Sequence, residues 1–558
     1  MSRLRSAAHS RLRFRCADPA GSWPRALVGG GGGDVKSVSL RDRLISAKLF
    51  LDRIATAPLF AKPDVSLHKA RFAKPFELAP LLGNSSPGEP SLLLGVGPYG
   101  KFLRIRPTAT RREIGNLLVD APTRRGKGLL AVSQLLTWPH SAIVNDIKGD
   151  LFDLTAADRL RRGPVCVLGD HRGVGHRFDP LRNCRDEDDC RAMAVHLLHK
   201  SHHADPDPFT KRAVKMLTAI FRAGLLEGQP LLPYAAYFLH SGPEAAAERL
   251  ETVSRHFHLP EQGNLATRLL DRKLADADFS DRYLQSSWST LTGDMDPVIT
   301  DKVIRSVAGA DFTPEDILCG RTTLIAGREV RQPVTVYLRF PEHRLHALSP
   351  LVRLIWSSLL DELVALYDSR RGEGCNPVLA LIDEAGTSPI PGLPRYAATV
   401  AGRGISLVVM VQDHNQLEAA YGKHGAVSLI NNMETQLYYG QSGLDTSEYI
   451  EKRMGRKSEY ARSKTMHGSE ETAEGESEQA VPLMTVQDIT QLEETEIVGI
   501  HRNLKPFRAK RMDWRDYPHL AARTRIPPPQ LAELPAAPEI PPLQQQTDAA
   551  VFDIDAEY

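Results

Sequence analysis

The sequence predicts an α/β protein whose parallel sheet is interrupted by an all-helical insertion. Two short apolar runs, 117–120 and 142–145, flank a Gly-Lys-Gly loop and a helical pattern. Strand, loop, helix and strand in this order form a βαβ unit, in which the two strands run parallel and helices cover the sheet. Between about 186 and 309 the apolar spacing becomes helical, and runs of β-branched residues are few. We therefore expect a helical segment inserted into the α/β domain.

The chain is long enough for several domains, since it has 558 residues, of which 42% are apolar and 25% charged. Composition and periodicity predict a disordered basic and Gly-rich tail (1–38), an amphipathic helix with a β-rich lead-in (39–110), an α/β domain in two pieces (111–185 and 310–515), the helical insertion (186–309) and a disordered, acidic, Pro- and Gln-rich tail (516–558). Segment 457–479 carries basic and then acidic residues among Ser and Gly, which predicts a mobile loop.

Charge and cysteine content restrict the function classes. A net charge of +2 means that any contact with DNA must come from local patches or a pore lining rather than from a generally basic surface. The six cysteines form no C-x-x-C pair, which favours reduced thiols in the cytosol. No uninterrupted apolar run approaches the ~18–20 residues that span a bilayer. The sequence therefore predicts a cytoplasmic location without a transmembrane segment.

The loop that follows the first strand has the pattern of a phosphate-binding loop. Its backbone N–H groups and the following helix favour an anion, and Lys127 is placed to reach the β- and γ-phosphates of a nucleotide. The candidate nucleotide-binding residues are Thr123, Arg124, Arg125, Gly126, Lys127 and Gly128. Ala121 stands where the first Gly of the pattern is usual, and Gly128 where a magnesium-binding hydroxyl is usual. On the loop alone, a purely structural turn is an open alternative.

Acidic residues follow two other buried strands. Asp146 and Lys148 come directly after the strand 142–145, so we expect them beside the loop at the carboxyl edge of the sheet. The alternative is a strand end capped by solvated charges. Asp383 and Glu384 follow the apolar run 378–382, where Asp383 would hold Mg²⁺ and Glu384 would accept a proton from the attacking water.

Two further residues complete the predicted site. Gln412 ends the strand 406–411, where it can orient the attacking water or report on the γ-phosphate. Arg403 lies at a turn before that strand and suits an arginine finger that reaches a neighbouring subunit's nucleotide. A helix C-cap with a surface arginine is the alternative for Arg403.

In order and in combination, these segments resemble the type IV secretion coupling proteins, which are ATPases of conjugative DNA transfer. The resemblance runs from about 66 to 515 and is carried by 68–73, 121–123, 126–128, 136–138, 146–150, 178–181, 383–384, 412, 415–417, 421–422 and 482–485. A Gly-Lys-Gly loop is common in this family, whereas Arg125 occupies a position where a small residue is usual.

The resemblance implies a RecA-like nucleotide-binding domain with an inserted all-α domain, ATP and Mg²⁺ as cofactors, and a homohexameric ring. It further implies single-stranded DNA bound to a relaxase as cargo, and a type IV secretion channel as partner. Many members carry N-terminal transmembrane helices, but no apolar run of this sequence is long enough to form one. We therefore expect a variant without them that associates with the inner membrane indirectly, through partners. Two alternatives are a coupling ATPase for protein effectors and a non-catalytic adaptor whose loop binds nucleotide weakly or not at all.

Overall fold

The computed structural model describes residues 68–83, 88–108, 111–169, 172–198, 207–325, 327–387, 389–467 and 471–540. The predicted tail 1–38, the predicted helix near 39–60 and segment 541–558 lie outside these residues. Within the described ranges, no helix combines the length and the apolar character needed to cross a bilayer.

The described strands are β1 (Leu92–Val96), β2 (Phe102–Ile105), β3 (Leu117–Asp120), β4 (Ala142–Asn145), β5 (Val165–Leu168), β6 (Arg321–Ile325), β7 (Arg328–Gln332), β8 (Thr335–Leu338), β9 (Val378–Ile382), β10 (Ile405–Val411), β11 (Thr435–Tyr439), β12 (Arg456–His467), β13 (Glu471–Pro482), β14 (Glu496–His501) and β15 (Phe507–Lys510). Eleven of them form one sheet in the order β2-β1-β15-β14-β11-β3-β10-β9-β4-β8-β5. The seven strands from β11 to β5 run parallel, and the other four are antiparallel. Strands β3, β4, β9 and β10 are buried along their whole length, as expected for parallel strands covered on both faces.

The described helices are α1 (Lys127–Thr137), α2 (Asp150–Leu160), α3 (Glu187–Leu198), α4 (Pro208–Leu226), α5 (Leu231–Ser241), α6 (Pro243–His256), α7 (Leu265–Leu270), α8 (Arg282–Met295), α9 (Asp301–Val307), α10 (Pro314–Cys319), α11 (Glu342–Arg370), α12 (Leu393–Thr399), α13 (His414–Asn432), α14 (Leu444–Met454), α15 (Val486–Thr490) and α16 (Pro518–Thr524). Helices α3 to α10 follow one another between β5 and β6 and bury large side chains such as Phe221, Tyr234 and Phe238. A helical domain therefore interrupts the sheet, as predicted.

The lead-in strands β1 and β2 belong to the main sheet. Val96 of β1 pairs with Lys510 of β15, which places the lead-in at the antiparallel end. At Gly95 a Cβ atom would lie 2.7 Å from the carbonyl oxygen of Lys510, so only glycine permits this close approach.

The described residues of segment 457–479 lie in two paired strands, which corrects the prediction of a loop. Strands β12 and β13 pair antiparallel along their whole length. The backbone register pairs Arg462 with Glu476 and Lys464 with Glu474. The prediction failed because the charged runs were interpreted one after the other along the chain rather than across a pair of strands.

The described part of the C-terminal tail is ordered, which corrects the prediction of disorder from residue 516. Arg523 of α16 donates to both carboxylate oxygens of Asp158, at 2.7 and 2.5 Å. The residues that follow, 526–540, are called the strap. In the strap, Ala532 accepts a hydrogen bond from the backbone N–H of Gly175 at 2.8 Å, and Leu534 is buried. Proline-rich composition predicted disorder because few apolar residues are present, but backbone carbonyls and one buried leucine are sufficient to hold this segment.

Candidate nucleotide-binding site

Four neighbouring parallel strands carry the candidate site. In the sheet β3, β10, β9 and β4 lie side by side, so their carboxyl ends meet at one edge. An open cavity of about 440 Å³ lies there. Its wall includes ten of the predicted site residues, namely Thr123, Arg124, Gly126, Lys127, Gly128, Asp146, Lys148, Asp383, Glu384 and Gln412. The structure therefore brings together residues that are hundreds of positions apart in the chain.

The loop between β3 and α1 has the backbone of a tight turn. Arg124 and Gly126 have φ angles of 66° and 101°, and a left-handed conformation is strained for a residue such as Arg124. A Cβ atom at Gly128 would meet nothing within 4 Å, so the start of α1 faces open space in the cavity. This geometry leaves room for a ligand against the first turn of α1.

Lys127 lies between the two acids that follow β9. Its Nζ is 3.0 Å from Asp383 Oδ1 and 3.5 Å from Glu384 Oε1. Apart from these ion-pair contacts, neither Lys127 Nζ nor Asp383 Oδ1 has a hydrogen-bond partner among the described residues, although both atoms are buried. Burial raises the pKa of Asp383, and the charge of Lys127 opposes that rise. Lys127 and Asp383 thus form a buried ion pair at the cavity, and two groups of opposite charge side by side fit a ligand that carries both phosphate and a divalent cation.

Glu384 is held by a second lysine. Lys148 Nζ donates to Glu384 Oε1 at 2.6 Å, and the backbone of Glu384 has a φ of 59°. Burial disfavours ionisation of this carboxyl, but the hydrogen bond from Lys148 and the charge of Lys127 leave the pKa of Glu384 below its ordinary value. Glu384 is therefore an ionised carboxylate that can accept a proton.

Gln412 contacts the loop directly. Thr123 Oγ1 donates to Gln412 Oε1 at 3.3 Å across the cavity. The backbone N–H of Gln412 donates to Gln416 Oε1 of α13 at 3.1 Å. A change in the conformation of the loop can therefore be transmitted to α13 through the two hydrogen bonds of Gln412.

The carboxylate oxygens of Asp146 accept hydrogen bonds from the backbone at the start of α2. Its Oδ1 accepts from the backbone N–H groups of Gly149 and Leu151 at 2.9 and 3.3 Å, and its Oδ2 accepts from Phe152 at 2.8 Å. Burial raises the pKa of Asp146 to about 6, against the effect of these hydrogen bonds. Asp146 thus caps the start of α2, and Lys148 is the residue of this segment that turns towards the cavity.

Replacing Asp146 by alanine is expected to lower the free energy of unfolding by about 3 kcal/mol, because buried N–H groups lose a charged acceptor. Chemical denaturation measures the change. Asp153→Ala in the same helix is the matched control and should change stability by no more than about 0.5 kcal/mol, since Asp153 is 58% exposed. Equal stability of the two variants would show that Asp146 is not a structural cap.

The side chain of Arg125 points away from the cavity, and its predicted place among the nucleotide-binding residues stays a prediction. Its Nε donates to Gln441 Oε1 at 2.9 Å, outside the cavity wall. Its carbonyl oxygen accepts from Arg511 Nη1 at 3.1 Å. A large residue is tolerated at this position because its side chain leaves the loop on the outer side.

Arg403 lies at the amino-terminal end of the parallel strands, whereas the cavity lies at their carboxyl ends. It lies two residues before β10, whose carboxyl end reaches the cavity, and it pairs with Asp368 through Nε and Nη2, both at 2.8 Å. Within one chain the structure does not bring Arg403 to the predicted site. Its predicted role towards a neighbouring subunit stays a prediction.

Sequence reasoning missed several residues of the cavity and of its rear wall. Arg511, Glu494 and Arg515, from the antiparallel end of the sheet, line the cavity and follow no nucleotide-binding pattern. Behind the loop, Asp120 Oδ2 and His414 Nε2 are buried 3.4 Å apart. Burial raises the pKa of Asp120 and lowers that of His414 to about 4. In the sequence, only the position of Asp120 at the end of an apolar strand points to this pair.

A family model described as "Type IV secretory system Conjugative DNA transfer" matches residues 100–532. The conjugal transfer protein TraG of Escherichia coli is 26% identical over 383 residues, which cover 64% of this chain and 57% of TraG. Protein VirD4 of Rhizobium radiobacter is 24% identical over 382 residues, which cover 65% of this chain and 51% of VirD4. The chain thus spans little more than half the length of these relatives.

Solved structures show the same fold. The unbound bacterial conjugative coupling protein TrwBdeltaN70 has a TM-score of 0.60 at 13% identity, over 86% of this chain and 97% of that chain. Plasmid coupling protein TrwB in complex with ADP and Mg²⁺ has a TM-score of 0.56, over 86% of this chain and 98% of that chain. With the family match over most of its length, the chain belongs to the conjugative DNA transfer family of type IV secretory systems.

Proposed function

We propose that this chain is an ATP-hydrolysing coupling protein that recruits relaxase-bound single-stranded DNA and delivers it to a type IV secretion channel. The observation that carries the proposal is the convergence of Lys127, Asp383 and Glu384 in one cavity at the carboxyl edge of a parallel sheet. Membership of a conjugative DNA transfer family supports DNA as the cargo. Delivery to a channel requires action at the cytoplasmic face of the inner membrane, through contacts with channel components.

ATP and Mg²⁺ fit the residues of the cavity. Lys127 would bind the phosphates and Asp383 would hold Mg²⁺, because both line the cavity and their buried charged atoms pair with each other without a further hydrogen-bond partner among the described residues. Bound Mg²⁺ neutralises charge on the phosphate oxygens. Support comes from TrwB, which has been solved with ADP and Mg²⁺ and with non-hydrolysable ATP and GTP analogues.

Glu384, Gln412 and Lys148 have separate roles in the proposed hydrolysis. Glu384 accepts the proton of the attacking water, since it is ionised and lies next to Lys127. Gln412 orients that water and reports the state of the loop to α13, because it contacts both. Lys148 holds Glu384 before the reaction and must move for Glu384 to reach the water.

The test is ATP hydrolysis by the purified chain with and without single-stranded DNA. We expect turnover, a rise with DNA, and DNA binding that weakens as salt increases. A rise only with effector proteins would replace the DNA cargo by a protein cargo. Failure of ATP to bind in calorimetry would favour the non-catalytic adaptor and overturn the enzymatic proposal.

We further propose a homohexameric ring in which Arg403 reaches the nucleotide of a neighbouring subunit. Arg403→Ala and Glu384→Gln should each abolish most turnover when assayed alone. Mixing the two variants should restore measurable turnover, because some interfaces then combine an intact Glu384 with an intact Arg403 of the neighbour. Asp368→Ala is the matched control, since it removes only the resting partner of Arg403 and should leave turnover intact. Absence of restoration in mixed rings would exclude the role across subunits.

A further inference from the structure

A second cavity of about 640 Å³ lies beside the nucleotide cavity. Residues 146–149 and Phe152 line it on one side, and strap residues 528–531 line it on another. Asp146 and Lys148 line both cavities, so the two spaces adjoin. The strap therefore forms a wall next to the predicted site of hydrolysis.

The second cavity has an excess of positive charge. Lys148, Arg172 and Arg339 line it, together with Asp146 and Asp153. Both oxygens of Asp146 accept hydrogen bonds from backbone N–H groups. Asp153 is 58% exposed and lies 3.7 Å from Arg339. The cavity thus has three cations against two carboxylates, and the oxygens of one carboxylate already accept backbone hydrogen bonds, which favours an anionic ligand.

Arg339 is held firmly in its place. Its guanidinium lies 4.6 Å from the ring centre of Phe152, and its side chain is 17% exposed. At Gly149 a Cβ atom would lie 2.6 Å from Arg339 Nη2, and Gly149 has a φ of 84°. Glycine is therefore required next to this arginine. A guanidinium that is already positioned matches the geometry of a phosphate group.

Lys148 links the two cavities. Its ammonium group donates to Glu384 at 2.6 Å, yet its side chain is 46% exposed and lines the second cavity. We propose that the second cavity binds a phosphate group through Arg339, Arg172 and Lys148, and that this binding draws Lys148 away from Glu384. The release step rests on the proposed function of Glu384, whereas the binding site itself does not.

Binding is tested by calorimetry on the full chain in a Lys127→Ala background, which removes anion binding by the loop. The titrants are inorganic phosphate and a single-stranded oligothymidylate. The double variant Arg172→Gln/Arg339→Gln should bind at least one of these probes about tenfold more weakly or worse. Arg161→Gln is the matched control, because Arg161 is an exposed arginine just after α2, and this variant should bind as the background does.

Loss of phosphate binding identifies a free anion as the ligand, and loss of oligonucleotide binding alone identifies a nucleic-acid backbone. Unchanged affinity in the double variant, or no binding of either probe to the background, would overturn the site.

Release of Lys148 is tested by ATP turnover in chains with an intact Lys127. The probe that binds should raise turnover of the unmodified chain and of Arg161→Gln. The double variant should keep the basal rate and lose the rise. Binding without any rise would overturn the release step. Absence of basal turnover would count against the proposed function, while the calorimetric result would still decide whether the anion site exists.

Discussion

Replacing Lys127 by alanine is expected to lower kcat/KM for ATP hydrolysis by about a hundredfold or more. The ammonium group lies at the start of α1, pairs with Asp383 and lines the cavity where phosphates would sit. Its loss removes a charge-assisted contact that strengthens as charge develops on the transferred phosphate. Steady-state hydrolysis and calorimetric binding of ATP measure the effect. Turnover within twofold of the unmodified chain would exclude the loop as the nucleotide site.

Lys127→Arg separates the role in binding from a role in folding. The alanine variant leaves the buried Asp383 without its nearest cation, so some loss of stability is expected. Arginine keeps a positive charge opposite Asp383, but its planar guanidinium does not reproduce the compact ammonium group. We expect Lys127→Arg to unfold like the unmodified chain and still to turn over ATP poorly. Normal turnover in Lys127→Arg would mean that only the charge next to Asp383 matters.

The convergence of the site residues could be predicted because a parallel sheet aligns the carboxyl ends of its strands. Asp383 and Gln412 follow strands whose apolar runs are evident in the sequence, and in the sheet β10 lies next to β3 and β9 next to β10. The helical insertion was equally evident from its spacing. These features depend on local periodicity, which a single sequence records.

The directions of individual side chains could not be predicted in the same way. Asp146 and Lys148 are two residues apart, yet one caps α2 and the other holds Glu384. Arg511 enters the cavity from a strand end with no nucleotide-binding pattern, and the strap holds its place through backbone carbonyls. Such contacts arise from packing between distant segments, which no local pattern specifies.

Replacing Glu384 by glutamine is expected to slow hydrolysis by about a hundredfold to ten-thousandfold, because an amide cannot accept the proton of the attacking water. ATP binding should be retained, since the phosphate-binding loop and Asp383 are unchanged. Glutamine has nearly the shape of glutamate and can still accept a hydrogen bond from Lys148 through its carbonyl oxygen. Single-turnover kinetics with calorimetric binding should therefore show a fall in kcat with little change in affinity.

Glu494→Gln is the matched control for this prediction. Glu494 lines the same cavity, is 64% exposed and pairs with Arg511 at 3.2 Å, so its replacement changes the charge of the cavity equally. If Glu384 acts by proton transfer, only Glu384→Gln slows hydrolysis. If both variants slow it to a similar extent, the effect comes from the overall field in the cavity and Glu384 is not the base. The contrast between two glutamates of one cavity thus separates a chemical role from an electrostatic one.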